Sequence, residues 1–269
     1  MVISIALTPT ITKAIGYSKT SIIYGIVALI VIMYCTFGCK EDPASWSTEK
    51  PKIFASIWAL LKSKKFWIFG FTGAFYSAAF SLISQAVPFY VKYTLHLESD
   101  KTTIMLASVF AVALIGILIW TQIIKHVYIV NAWRVSFVVM AVGIIPMYFA
   151  SNLITAVCIA GVVGLGVAGC LTTMDCIGAK IMDDDYKHYG VKREGIISSC
   201  LGVMNRLNGL FTSAAFFTVS RAFGFVNGDN PGDSPDVASK MLLIVFPAVA
   251  VALAAVFSMF LHFEDEKKK

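Results

Sequence analysis

Seven separated apolar runs, each about long enough to cross a bilayer, constrain this chain more than any motif in it. A hydrocarbon core of about 30 Å takes about 20 apolar residues of helix, at 1.5 Å per residue. The runs are 22–38, 66–91, 103–124, 132–150, 153–174, 196–220 and 241–263. They predict an all-α polytopic membrane bundle of about seven transmembrane helices. A β-barrel is excluded, because its strands would be about 10 residues of alternating polarity. Composition agrees: charged residues are 14%, where a soluble domain carries about 25%. The spans leave no room for a separate soluble domain. Residues 1–7 are apolar, with no basic n-region or small-residue cleavage site, so no cleavable signal is expected.

The net charge of +6 does not point to nucleic acid once its distribution is read. Alternating the spans puts Lys40, Lys50, Lys52, Lys62, Lys64, Lys65, Lys125, Arg134, Lys180, Lys187, Lys192, Arg193, Lys267, Lys268 and Lys269 on one side. The other side holds Lys13, Lys19, Lys92, Lys101, Arg221 and Lys240, and Arg206 lies inside a span. Fifteen against six is a positive-inside bias. It predicts a multi-pass protein of the cell membrane with its C-terminus cytoplasmic and with anionic lipid headgroups as neighbours.

The organisation follows. Residues 1–39 hold a helix end, an external loop at 8–20 and the first full span. Residues 40–65 form a cytoplasmic linker with a short amphipathic helix at 53–61. Residues 66–263 form a six-helix bundle, and 264–269 a charged tail. Within the bundle, 181–193 reads as a charged cytoplasmic loop. The stretch 222–239, with Gly224, Gly228, Pro231, Gly232 and Pro235, reads as an external one.

Two spans carry polar side chains on one face. In the second, Ser77, Ser81, Ser84, Gln85 and Pro88 fall within a narrow stripe at 100° per residue. Such a stripe faces neighbouring helices, as interhelical hydrogen bonds, or a cavity that meets a polar solute. In the sixth, Ser198, Gly202, Asn205, Arg206, Gly209 and Ser213 share a face. An arginine at this depth normally faces the protein interior with a partner. Its planar fork suits a sugar hydroxyl, a carboxylate, a phosphate or a gating ion pair. Candidate cavity residues are therefore Arg206, Asn205, Ser81 and Gln85. The loop acids and bases Asp183, Asp185, Arg193 and Glu194 are candidates for a cytoplasmic gate.

Other patterns are bland. Gly164, Gly166 and Gly169 fit GxGxxG, but that motif needs a strand and a βαβ unit; inside an apolar helix it reads as close packing, with Gly164 and Ala168 a small-xxx-small pair. Cys35, Cys39, Cys158, Cys170, Cys176 and Cys200 form no CxxC, so neither a disulfide nor a metal site is expected. No HExxH and no Ser/His/Asp set occurs, so neither enzymatic activity nor a cofactor is expected.

The stretch Gly190-Val191-Lys192-Arg193-Glu194-Gly195-Ile196, preceded by Asp183–Tyr186, resembles the signature of the glycoside-pentoside-hexuronide:cation symporters. These are the melibiose-carrier-like branch of the major facilitator superfamily. Lys40-Glu41 and Phe89-Tyr90-Val91-Lys92-Tyr93 resemble two further family motifs, and the resemblance runs over nearly the whole chain. It implies a fold of twelve helices in two halves. On that map this chain runs from the end of helix five through helix six (1–39) to a complete C-terminal half. Arg206, twelve residues after Glu194, occupies the position of a family lysine near the sugar site, so the solute need not be the same sugar. The stretch 122–134 lacks the family's basic, glycine-containing loop. The family's cation-binding acids lie on helices two and four. The resemblance thus implies the C-terminal half of a Na⁺- or H⁺-coupled symporter for a glycoside or sugar-like solute, whose partner N-terminal half binds the ion. A lysolipid or amphiphile carrier of the same superfamily and a non-transporting truncated membrane subunit are the alternatives.

Overall fold

The computed structural model describes residues 11–12, 15–38, 52–97, 100–224, 232 and 234–263, and among them no strand occurs. The apolar stretch 1–7, the Lys40-Glu41 pair and the tail 264–269 lie outside the described residues, as does most of 225–233. The chain divides into two compact units, Met1–Lys50 and Pro51–Lys269.

The first unit contains α1 (Tyr17–Gly38), 22 residues long and apolar around its whole circumference. It begins inside the stretch expected to be an external loop. Its polar start is compatible with helix because the hydroxyls of Thr20 and Ser21 donate to the carbonyls of Gly16 and Tyr17, one turn back.

The second unit is a helical bundle. Its helices are α2 (Ile53–Lys62), α3 (Lys64–Tyr93), α4 (Asp100–His126), α5 (Ile129–Ile144), α6 (Leu153–Tyr189), α7 (Glu194–Asn205), α8 (Leu207–Phe223), α9 (Pro235–Lys240) and α10 (Phe246–Met259). A 3₁₀ turn, Ile145–Phe149, extends α5, and a π-helical turn, Met241–Val245, joins α9 to α10. The π turn has a local cause. Pro247 has no N–H and its ring crowds the carbonyl four residues back; widening the preceding turn, with the Phe246 N–H donating to the Met241 carbonyl, accommodates it.

Among the described residues six stretches are long and apolar enough to cross a membrane: α1, α3, α4, α5 with its 3₁₀ turn, α6, and Pro235–Met259. The remaining expected run, the sixth, is helical in two pieces. The run 196–220 is divided at Arg206 into α7 and α8, each shorter than a bilayer crossing. The expected loop 181–193 is corrected. Helix α6 continues through its charged residues to Tyr189 and stops only where Gly190 takes a left-handed conformation, φ 69°. Aspartate and lysine do not break a helix; a residue at positive φ ends one. At 37 residues α6 is about 55 Å long at 1.5 Å per residue, so it projects well beyond a hydrocarbon core.

Helix α6 packs closely on both α4 and α5, and its sequence explains why. A Cβ on Gly166 would lie 2.6 Å from the Met140 backbone of α5, and one on Gly169 2.6 Å from Ser136 Cβ. On the α4 side, a Cβ on Gly116 would lie 2.8 Å from Ala168 Cβ. The glycine run is a packing surface, which lets backbones approach where lipid supplies no hydrophobic drive between helices. Three side-chain donors end on backbone carbonyls of other elements. Trp120 Nε1 donates to the Leu165 carbonyl at 2.9 Å. The fully buried Tyr90 donates its hydroxyl hydrogen towards the carbonyls of Met147 (2.7 Å) and Ala150 (3.3 Å). Arg134 of α5 donates to the carbonyls of Ser258, Met259 and Leu261 at the end of α10.

Gly166→Val is therefore expected to destabilise the bundle by about 1–3 kcal/mol through overpacking. Gly161→Ala, whose Cβ would meet only Val112 Cγ2 at 3.4 Å, is expected to be neutral or stabilising by up to about 1 kcal/mol. Denaturation of both variants in nanodiscs checks the contrast.

Candidate functional site

Two polar regions stand out in the second unit, one within the apolar layer and one at the projecting end of α6.

The first is a seam along α3. Gly73 leaves room for Asn205, whose Oδ1 would be 3.6 Å from a Cβ there. One turn on, Ser77 Oγ donates to Asn205 Oδ1 at 3.3 Å. A further turn on, Gln85 Nε2 donates to Ser81 Oγ at 2.8 Å. Gln85 then opens, with Pro88, Phe89 and Phe216, onto a hollow of about 370 Å³. Pro88 lies inside a helix that continues past it, and having no N–H it leaves the Ser84 carbonyl without its helical donor. Three of the four candidate cavity residues, Asn205, Ser81 and Gln85, thus lie along one stretch of α3 and its neighbour. Ser77 and Ser81, one from each hydrogen-bonded pair, lie one turn apart on α3.

Arg206, the fourth, behaves differently from its sequence-based expectation of an inward-facing, partnered side chain. It sits at the break between α7 and α8, with φ −67° and ψ −17°. Its N–H donates to the Val203 carbonyl at 3.0 Å, and the Gly209 N–H donates to its own carbonyl at 3.1 Å. Both are bonds across three residues, so the backbone tightens as it passes. The Arg206 side chain is exposed and has neither an ion pair nor a hydrogen bond among the described residues. Successive helical residues are rotated by about 100°; Asn205 takes the position facing α3, which turns Arg206 away from it. Counting from the start of α7, Arg206 lies about 18 Å along the helix at 1.5 Å per residue.

The second region is built by the short connection between α6 and α7. The left-handed turn at Gly190 brings Arg193, which precedes α7, back over the end of α6. Arg193 Nε and Nη2 donate to Asp185 Oδ2 (2.7 Å) and Oδ1 (2.6 Å), a bidentate pair. Its guanidinium also lies 3.9 Å from the centre of the Tyr189 ring. Arg193 is only 7% exposed. The Asp185 hydrogen bonds raise its pKa further above the ordinary guanidinium value, against the opposing pull of burial. Beside this pair, Lys65 Nζ at the start of α3 donates to Asp184 Oδ2 at 2.8 Å.

Of the gate candidates, the structure brings Asp185 and Arg193 together. Asp183 and Glu194 are exposed and make no ion pair among the described residues. Asp184, one of the loop acids, was not among the four gate candidates, and Lys65 and Tyr189 were missed by sequence reasoning. Tyr189 was within reach of it, four residues before Arg193; Lys65, 119 residues from Asp184, was not.

A bundle of lipid-length apolar helices, with a polar seam inside and interlocked charges at one end, is the build of a multi-pass membrane transporter. The family model for MFS/sugar transport proteins matches residues 1–265, and the chain belongs to that family. No curated protein matches the chain.

Asp185→Ala would leave Arg193 buried without its counter-charge, and a loss of about 3–5 kcal/mol of stability is expected. Asp183→Ala, at an exposed site, is expected to stay within about 0.5 kcal/mol of the parent. Chemical denaturation of the reconstituted protein reads both.

Proposed function

We propose that this chain forms one wall of a cation-coupled symporter for a glycoside or sugar-like solute, of the melibiose-carrier-like branch of the major facilitator superfamily. The observation that carries the reading is the break at Arg206. It sets an exposed guanidinium, with no ion pair or hydrogen bond among the described residues, next to Asn205 of the polar seam, midway along a long apolar run that falls in two helices. Discontinuous helices near the midplane are where secondary transporters hold their solutes. A charge there costs about 3 kcal/mol on insertion scales, and contact with a polar solute or an aqueous cavity offsets that cost. The family match and the Asp183–Tyr186 and Gly190–Ile196 signature support the same reading.

In this mechanism Arg206, Asn205, Ser81 and Gln85 line one side of a cavity. A second six-helix half of the carrier lines the other and supplies the acids that bind the coupling ion, Na⁺ or H⁺. The two halves rock about the solute in alternating access. The Asp185–Arg193 and Asp184–Lys65 pairs tie the ends of α6, α7 and α3, and they form the gate on the cytoplasmic side of the cell membrane, the side of the C-terminus. Asp183 and Glu194 are exposed and stand ready as exchange partners when the gate opens.

Arg206→Ala in the reconstituted carrier is expected to abolish uptake or reduce it at least tenfold at normal expression, with Arg206→Lys retaining more. Unchanged uptake by Arg206→Ala would remove this residue from the solute site. Competition with sugars and with lysolipids on the same preparation tests the solute class: displacement by lysolipid alone overturns the sugar assignment.

A further inference from the structure

A second cavity, of about 510 Å³, lies at the charged end of the bundle between α2, the start of α3 and the end of α6. Its charged lining comprises Lys62, Lys65, Asp184, Asp185 and Lys187, with His188 beside them. Both acids are already engaged, Asp184 by Lys65 and Asp185 by Arg193. Lys62 and Lys187 are exposed and have no ion pair among the described residues; Lys62 has only the Trp58 ring, 5.5 Å away. With its carboxylates engaged, the cavity presents two cations that are uncompensated among the described residues, which is the charge pattern of an anion site.

Helix α2 indicates where the anion comes from. Its inner face is Ser56 and Leu60, with Leu60 in a cluster with Phe66, Ile197 and Met204. Its outer face is apolar too: Ile53, Phe54, Trp58 and Leu61 are all exposed, Phe54 at 89%. At 100° per residue these four span an arc of about 140°, with Lys62 next to it beyond Trp58. A short helix with an outward aromatic and aliphatic arc, edged by lysine, lies in a membrane interface rather than in water. The neighbouring cavity is then at headgroup depth, beside a place for acyl chains.

We propose that this cavity binds the phosphodiester of an anionic glycerophospholipid, with Lys62 and Lys187 on the phosphate and the acyl chains against the Phe54 and Trp58 face of α2. The site needs no transport cycle, so the symport reading and this one stand or fall separately.

The test is native mass spectrometry of the full chain released from nanodiscs of phosphatidylcholine containing phosphatidylglycerol. The parent is expected to retain phosphatidylglycerol in preference to phosphatidylcholine. Lys62→Gln with Lys187→Gln is expected to lose that preference by roughly 25-fold, at about fivefold per lysine. Lys125→Gln, an exposed lysine that donates instead to Gln122, is expected to match the parent. A thermal melt in pure phosphatidylcholine, unchanged in the double variant, separates lost binding from lost folding. Equal retention of the two lipids by the parent, or unchanged retention by the double variant, would overturn the proposal. Displacement of the lipid by millimolar inorganic phosphate would reassign the site to a soluble phosphate and overturn the lipid source. Displacement on adding the other half of the carrier would assign the cavity to a protein contact instead.

Discussion

Lipid tails are as apolar as leucine, so the helices of this bundle gain little from apolar character alone when they meet. They are held by close backbone approach and by hydrogen bonds that have no water to compete with. Helix α6 supplies most of the first. Gly164, Gly166 and Gly169 bring it against α4 and α5 closely enough that added side chains would collide with the Val109 and Met140 backbones and with Ser136. Trp120, Tyr90 and Arg134 supply much of the second, each donating to backbone carbonyls of another element. The position of the α6 end, and hence of the Asp184 and Asp185 pairs, depends on this packing.

The two polar regions differ in how completely their groups are matched. At the end of α6 the charges interlock: Arg193 is buried, bidentate and covered by Tyr189, and Lys65 answers Asp184. Along α3 the seam is satisfied only between neutral groups, and the one charge beside it, Arg206, has no partner among the described residues. A matched network holds elements together, whereas a guanidinium without a match is, under the proposed function, where the solute binds. The same bookkeeping separates the acids of the second cavity, which are engaged, from Lys62 and Lys187, which are not.

Much of the architecture was legible because the bilayer sets a length scale. Runs of about 20 apolar residues could be placed within a few residues, and the packing role of the α6 glycines followed from their setting inside such a run. The break at Arg206 was less legible. Hydropathy alone reads 196–220 as one span, since a single arginine and two glycines do not interrupt it; the backbone tightening to three-residue bonds there is a conformational detail with no compositional signature. The extension of α6 to Tyr189 was hidden for the opposite reason: charged residues look like loop, although they fit a helix that has left the membrane.

The sequence by itself determined the class of protein, the approximate spans, the polar stripe of α3 and the acid–base character of the α6–α7 connection, because each is a property of local composition and period. Tertiary structure alone decided which charges meet. Asp185 rather than Asp183 faces Arg193, Lys65 crosses 119 residues to Asp184, and Asn205 rather than Arg206 faces α3. Each choice rests on a rotation of about 100° between successive helical residues and on where one helix axis lies against another, and neither a composition nor a spacing contains that second quantity.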